Sequence, residues 1–233
     1  MYHSIIKKIF AILFFMIFSL NCAFAISISS LLEVANDDDS AIIRVVNNDE
    51  VTMFVKVTSN KLQYNNGVRE TIELSKNNVG SWGLKYTPTH LVLEPGEEKS
   101  VKLWYKCDLE PCDRSKDIVY GVNFSPTPYL TSDQDKMNLV LGYKTYFVLT
   151  ADKPKYAYAL EKSIDNKVMI TNKGNSSLMA IINNCTSDIK SNCIFKYRLL
   201  PEVSKFIELP KPIFTNEIKF FTLHDVYLGI EYI

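Results

Sequence analysis

Through most of the chain apolar residues recur at alternate positions, the two-residue period of a strand with one face turned to a core. The clearest row lies in residues 137–149, MNLVLGYKTYFVL, where Met137, Leu139, Leu141 and Tyr143 share one face of an extended chain. A polar connection containing Pro126 and Pro128, then Thr131, Ser132, Asp133, Gln134 and Asp135, precedes it as a long loop. On periodicity alone the commoner outcome for such a row is a buried strand of a sandwich core. The alternative is an apolar edge strand held open for a specific partner.

Shorter alternating runs fill the rest of the first half. Residues 26–34 read as an edge strand, and 40–46 and 51–58 as two strands around the turn-like cluster Asn47, Asn48, Asp49, Glu50. Tyr64, Asn65, Asn66 and Gly67 read as a hairpin turn, and residues 82–88 follow. Residues 91–93 and 101–105 are two strands joined by Pro95-Gly96, and 118–124 is another. Short strands with turns between them are the pattern of an immunoglobulin-like sandwich. The alternation stops at 151–155, where Pro154 removes a ladder donor. Beyond it, 156–160, 167–171, 178–183, 194–199, 205–209 and 217–223 form a second β unit, with a turn at 172–175. No amphipathic helix is expected after residue 25, so the class is all-β, with domains at 26–150 and 151–233.

Composition adds an export address. Lys7 and Lys8 precede an apolar run at 9–20, and Ala23 and Ala25 supply the small residues a signal peptidase reads, so residues 1–25 are expected to leave as a signal peptide. The run is shorter than the roughly 20 residues a spanning helix needs. Cys22 raises a minor lipoprotein reading, which Asn21 before it disfavours. The remainder carries 24 basic and 26 acidic residues, a balance that indicates neither nucleic acid nor an anionic membrane as partner. Four cysteines stay behind, Cys107, Cys112, Cys185 and Cys193, and an even number in an exported chain suggests two disulfides. Local pairing, Cys107 with Cys112 and Cys185 with Cys193, would staple two short loops. Zinc is disfavoured, since the pairs fall in separate halves with no histidine beside them.

Candidate chemistry is sparse. Past the signal only His90 and His224 remain, read as a strand-entry residue and a surface residue, and there is no Gly-x-Ser-x-Gly elbow or phosphate-cradling glycine loop. Asp37, Asp38 and Asp39 lack the spaced partners of a calcium loop and read as a solvated turn. Methionines and histidines are too scattered for copper. No enzyme activity, cofactor, metal or small-molecule substrate is expected. Arg44, a charge among Ile42, Ile43, Val45 and Val46, either meets solvent or holds an anion.

The order Ile28-Ser29-Ser30-Leu31-Leu32, Arg44-Val45, residues 87–96 running to Val101-Lys102-Leu103, residues 148–154 and Thr171-Asn172-Lys173-Gly174-Asn175 resembles the periplasmic pilus-assembly chaperones of the PapD-like superfamily, in particular the alternate chaperone–usher class that includes the common-pilus chaperones. The resemblance covers nearly all of the chain past the signal. It implies two immunoglobulin-like domains in a boomerang, a periplasmic location, and pilin subunits and an outer-membrane usher as partners. It also implies that Met137, Leu139, Leu141 and Tyr143 form a donor G strand that completes an unfinished pilin sandwich. Self-association of the free chain through the same edge is the other partnership open to it. The classical branch fixes the pilin carboxylate with a first-strand arginine and a G-strand lysine. No basic residue occurs between Ile26 and Ile43, so Arg44 and Lys144 stand as substitutes, Lys144 on the face opposite the apolar row. An exported pilus subunit or adhesin-like surface protein is the competing reading.

Overall fold

The structure is a computed structural model, and it describes residues 26–65, 68–107, 113–129, 141–162, 167–215 and 217–233. The expected signal peptide and Cys22 lie outside them. The chain runs through β1 (Ile26–Ile28), β2 (Leu32–Val34), β3 (Ser40–Asn47), β4 (Met53–Asn65), β5 (Val68–Glu73), β6 (Leu84–Thr87), β7 (His90–Leu93), β8 (Glu98–Tyr105), β9 (Ile118–Pro128) and β10 (Tyr143–Leu149). The second half supplies β11 (Tyr158–Lys162), β12 (Lys167–Asn172), β13 (Leu178–Asn183), β14 (Ile194–Leu199), β15 (Ser204–Glu208), β16 (Glu217–Thr222) and β17 (Tyr227–Tyr232). A single 3₁₀ turn at Val79–Ser81 is the only helical element among the described residues.

The first ten strands make two sheets, ordered β1-β3-β8-β6 and β2-β10-β9-β4-β5, with β7 also paired to β4. Inward side chains of both, including Ile43, Val45, Val55, Val101, Leu103, Phe124 and Phe147, form one buried core. Residues 29–31 carry the chain from one sheet to the other, so the single edge strand expected at 26–34 is two strands in two sheets. The Pro95-Gly96 turn also joins sheets, because β7 pairs with β4 and β8 with β3, where the strand pattern alone reads as a hairpin. Gly96 takes φ +75°, which suits glycine in that turn.

The last seven strands form sheets β11-β12-β15 and β14-β13-β16-β17 around a second core, with Val168, Ile170, Ala180, Ile182, Ile218 and Phe220 at its centre. Each domain contains the same buried asparagine clamp. Asn47 Nδ2 donates to the carbonyls of Val51 and Leu93 while its Oδ1 accepts from Asp49 N–H. Asn172 Nδ2 donates to the carbonyls of Ser176 and Leu199, and its Oδ1 accepts from Gly174 N–H. Both side chains are fully buried with their bonds made, which is the condition for a polar group to sit in a core.

Candidate functional site

Strand β10 has one edge that is half covered. Residues of an antiparallel pair turn N–H and C=O alternately to one neighbour and then the other. Tyr129 N–H donates to Thr52 C=O, so odd residues at the end of β9 face β4, and Phe124, Pro126 and Pro128 face the β10 side. Tyr143 opposite Phe124 and Thr145 opposite Val122 then turn toward β9, while Lys144, Tyr146 and Val148 turn toward β2. That side is bonded where Tyr146 N–H reaches Leu31 C=O and Ala35 N–H reaches Val148 C=O. Strand β2 pairs with β10 only over Tyr146–Val148. Among the described residues no strand covers the edge at Tyr143–Thr145, where the backbone of Lys144 faces outward.

The side chains sort as the alternation demands. Tyr143, Thr145, Phe147 and Leu149 point into the sandwich, and Leu141, ahead of the strand, is 55% exposed. Of the expected donor row, Leu141 and Tyr143 are thus placed beside the open edge, and Met137 and Leu139 lie outside the described residues. The proline spacing bears on the same edge. Pro126 and Pro128 have no N–H, so β9 beyond Phe124 offers no donor toward β10 at those two positions.

The outward face of this sheet meets the second domain. Leu62, Val119, Val148, Leu32 and Tyr146 pack with Leu200 and Leu223 across the junction. On one side of that contact a cavity of about 440 Å³ is floored by Leu32, Leu62 and Val148 and rimmed by Tyr64, Arg69, Arg198 and Lys205. Burial pushes the Tyr64 hydroxyl above its usual pKa, and the Arg69 guanidinium opposes that rise. On the other side a cavity of about 190 Å³ contains Lys61, Lys116, Asp113, Asp117 and Glu202. Burial pulls the Lys61 ammonium below the usual lysine range, against the attraction of Asp113. Arg69, Arg198 and Lys205 escaped the strand pattern. Alternation puts Arg198 on an outward face, but no periodicity says that this face turns toward another domain.

Arg44 and Lys144 stand on different sheets and are not brought together. Arg44 projects outward from β3 and lies 3.7 Å from Glu98 in an exposed ion pair. Lys144 projects from the outward face of β10, its stem lying over Gly121, where a Cβ would come within 2.5 Å of Asn60 Oδ1 and 3.3 Å of the Lys144 stem. Cys185 and Cys193 are bonded, Cα atoms 4.9 Å apart. Cys107 is also disulfide-bonded, and Cys112 lies outside the described residues. His90 is exposed beside Thr89 in the first domain, and His224 sits in a turn after β16 in the second. Among the described residues no group of three His, Cys, Asp or Glu side chains is placed to hold a metal.

Asp39 departs from the solvated turn expected at 37–39. Its carboxylate takes two bonds from Arg114, at 2.6 and 3.1 Å. Arg114 also donates to Thr150 C=O, and its Nε lies 3.1 Å from Asp152 Oδ1, within ion-pair range though not aligned as a hydrogen bond. Beside it Asp117 accepts from Ala151 N–H and Ser177 N–H, and Asn175 donates to the carbonyls of Ser115 and Lys153. These bonds tie the end of the first domain to a turn of the second.

Comparison with known proteins places this architecture. The solved structure of the class 5 fimbriae chaperone CfaA superposes with a TM-score of 0.54 at 18% identity, covering 89% of this chain and 98% of that one. The SafB chaperone in its complex with the Salmonella enterica pilin SafA gives 0.56 at 11% identity, covering 91% and 97%. These likenesses show the fold, a pair of β-sandwiches arranged as in the solved structures of those two chaperones. An Escherichia coli 25.9 kDa protein of the CS5 3′ region is 25% identical over 214 residues, 91% of this chain and 90% of its own. Residues 28–150, more than half of the chain, match the family described as CS5 fimbrial protein N-terminal domain. The chain is a member of that CS5 fimbrial family.

Proposed function

We propose that this protein is a periplasmic chaperone that stabilises pilus subunits by lending them the edge of β10 and passes them to an outer-membrane usher. The observation that carries the reading is the edge at Tyr143–Thr145, which no strand covers among the described residues, with the Lys144 backbone facing outward beside the exposed Leu141. A sandwich short of one strand has an apolar groove and unpaired backbone groups, and an added strand satisfies both together. Met137, Leu139 and Leu141 are the side chains that would enter the groove; Tyr143, expected to join them, packs against this chain's own core and would bound the row. A guest strand on this edge is stopped toward the junction by Leu31, whose C=O already accepts from Tyr146 N–H. Since β10 also runs toward the junction, a guest whose C-terminus arrives there lies parallel to β10, and its end meets the junction cavity.

Domain roles follow from the same reading. Residues 1–25 direct export, 26–150 lend the strand, 151–233 close the cleft, and the bonded segment 151–155 is the joint. Lys144 keeps its candidacy as a carboxylate anchor because it stands on the lending sheet next to the open edge; Arg44 stands on the opposite sheet. The fold likeness to chaperones supports a binding protein without catalysis, and favours a chaperone over a pilus subunit or surface adhesin. Co-expression with the fimbrial subunits of its own locus tests the reading. Leu139→Glu/Leu141→Glu should lower recovery of the complex at least tenfold, because an unpaired charge cannot enter an apolar groove cheaply. Leu141→Glu alone, at an exposed position, should leave the thermal transition of the free protein unmoved while lowering recovery in the same direction. Undiminished recovery would refute strand lending.

A further inference from the structure

The two junction cavities differ in charge. The smaller sets Lys61 and Lys116 against Asp113, Asp117 and Glu202. The larger carries Arg69, Arg198 and Lys205, and among the described residues no carboxylate lines it. Among the described residues none of these three cations is ion-paired; Lys205 instead lies 5.6 Å from the centre of the Tyr197 ring. Arg69 comes from β5 in the first domain, and Arg198 and Lys205 come from β14 and β15 in the second. Three like charges on one exposed rim keep a positive potential over the apolar floor, which favours an anionic guest over a neutral one and is screened by salt. One carboxylate leaves two of the three charges uncompensated.

We propose that, besides the terminal carboxylate already assigned to it, the cleft reads one aspartate or glutamate side chain among the last few residues of the captured chain. The inference rests on the reading that a guest strand ends in this cavity. Arg198 and Lys205 supply the selectivity for the acidic side chain, so the second domain is a specificity element and not only a wall. Guanidinium and ammonium donors give charge-assisted bonds to carboxylates, and the Tyr64 hydroxyl on the same rim adds a neutral donor.

The test titrates the full mature protein with a short synthetic peptide of alternating valine and threonine that ends in Glu-Phe with a free carboxylate. Comparison peptides carry Gln for Glu, a C-terminal amide, or a scrambled order. The Gln peptide and the amide should each bind about tenfold more weakly than the parent, and the loss should shrink at higher salt. Arg198→Gln/Lys205→Gln, both exposed positions, should abolish the Glu-over-Gln preference while the carboxylate-over-amide preference remains. Equal affinity for the Glu and Gln peptides, with the amide still weak, would overturn the two-charge proposal and leave the cleft reading standing. So would a preference that survives the double substitution. Binding no better than the scrambled peptide would overturn both.

Discussion

Asn47 and Asn172 are marked in the sequence only as turn-formers, since Asn-Asn-Asp and Asn-Lys-Gly are turn compositions wherever they fall. Nothing in such a cluster separates an asparagine at a solvated bend from one whose amide closes a domain end from within. Burial supplies the difference. Each amide makes two bonds to carbonyls that strands and turns leave over, so removing it orphans buried acceptors. Asn172→Ala should destabilise the second domain by about 2–4 kcal/mol, read as a lower urea midpoint at unchanged slope. A loss below about 0.5 kcal/mol, within the ordinary range for surface changes, would mean that water replaces those bonds. Asp39 makes the same point in reverse. A run of three aspartates reads as solvated, yet one of them meets an arginine 75 positions away, a pairing that local sequence cannot announce.

Among the elements, those with a clean apolar period were legible and the others were not. β3, β13 and β14 fall where alternation puts them. β5 does not show in the pattern because Val68–Glu73 directs only Ile72 at the core, leaves Val68 exposed and is otherwise polar; its strand form follows from pairing with β4 across positions 66 and 67, which lie outside the described residues. β17, at the C-terminal edge, carries a glycine and a register shift at its partner β16, and its period is blurred accordingly. The expected strand at 137–149 is described from Tyr143 onward. Here the prolines of β9 matter, because they face the β10 side and cannot donate. Pro126→Val/Pro128→Val restores two N–H groups aimed at that side, so β9 should hold the segment before Tyr143 more tightly. Hydrogen exchange should slow at Leu141 and Gly142, and, if β10 lends its edge as proposed, capture of a subunit should weaken several-fold. Unaltered exchange there would show that the prolines do not govern how far the β9–β10 pairing runs.

For the whole molecule, the all-β class and the division into two sandwiches were legible because strand patterning stops at 151–155 and resumes. The cleft was not legible, since it is made of outward faces whose mutual approach depends on a joint. That joint is bonded rather than slack. Asp117 joins Ala151 to Ser177, Asn175 reaches Ser115 and Lys153, and Arg114 ties Asp39 to Thr150 and Asp152. The exposed Lys116–Glu202 pair at 3.4 Å adds little, about 1 kcal/mol or less. Asp117→Ala leaves two backbone donors without their acceptor at the joint itself. Spin-label distances between the domains should broaden while each domain keeps its own unfolding transition; an unbroadened distribution would place control of the angle elsewhere.

If β10 lends its edge as proposed, the Leu31 carbonyl already bonded to Tyr146 would set the last position open to a guest and make that edge a ruler. Side chains on an extended guest change sides with every residue. A subunit longer by one residue at its C-terminus would therefore present the opposite set of side chains to its own interior. The host would thus proofread the length of what it carries as well as its composition.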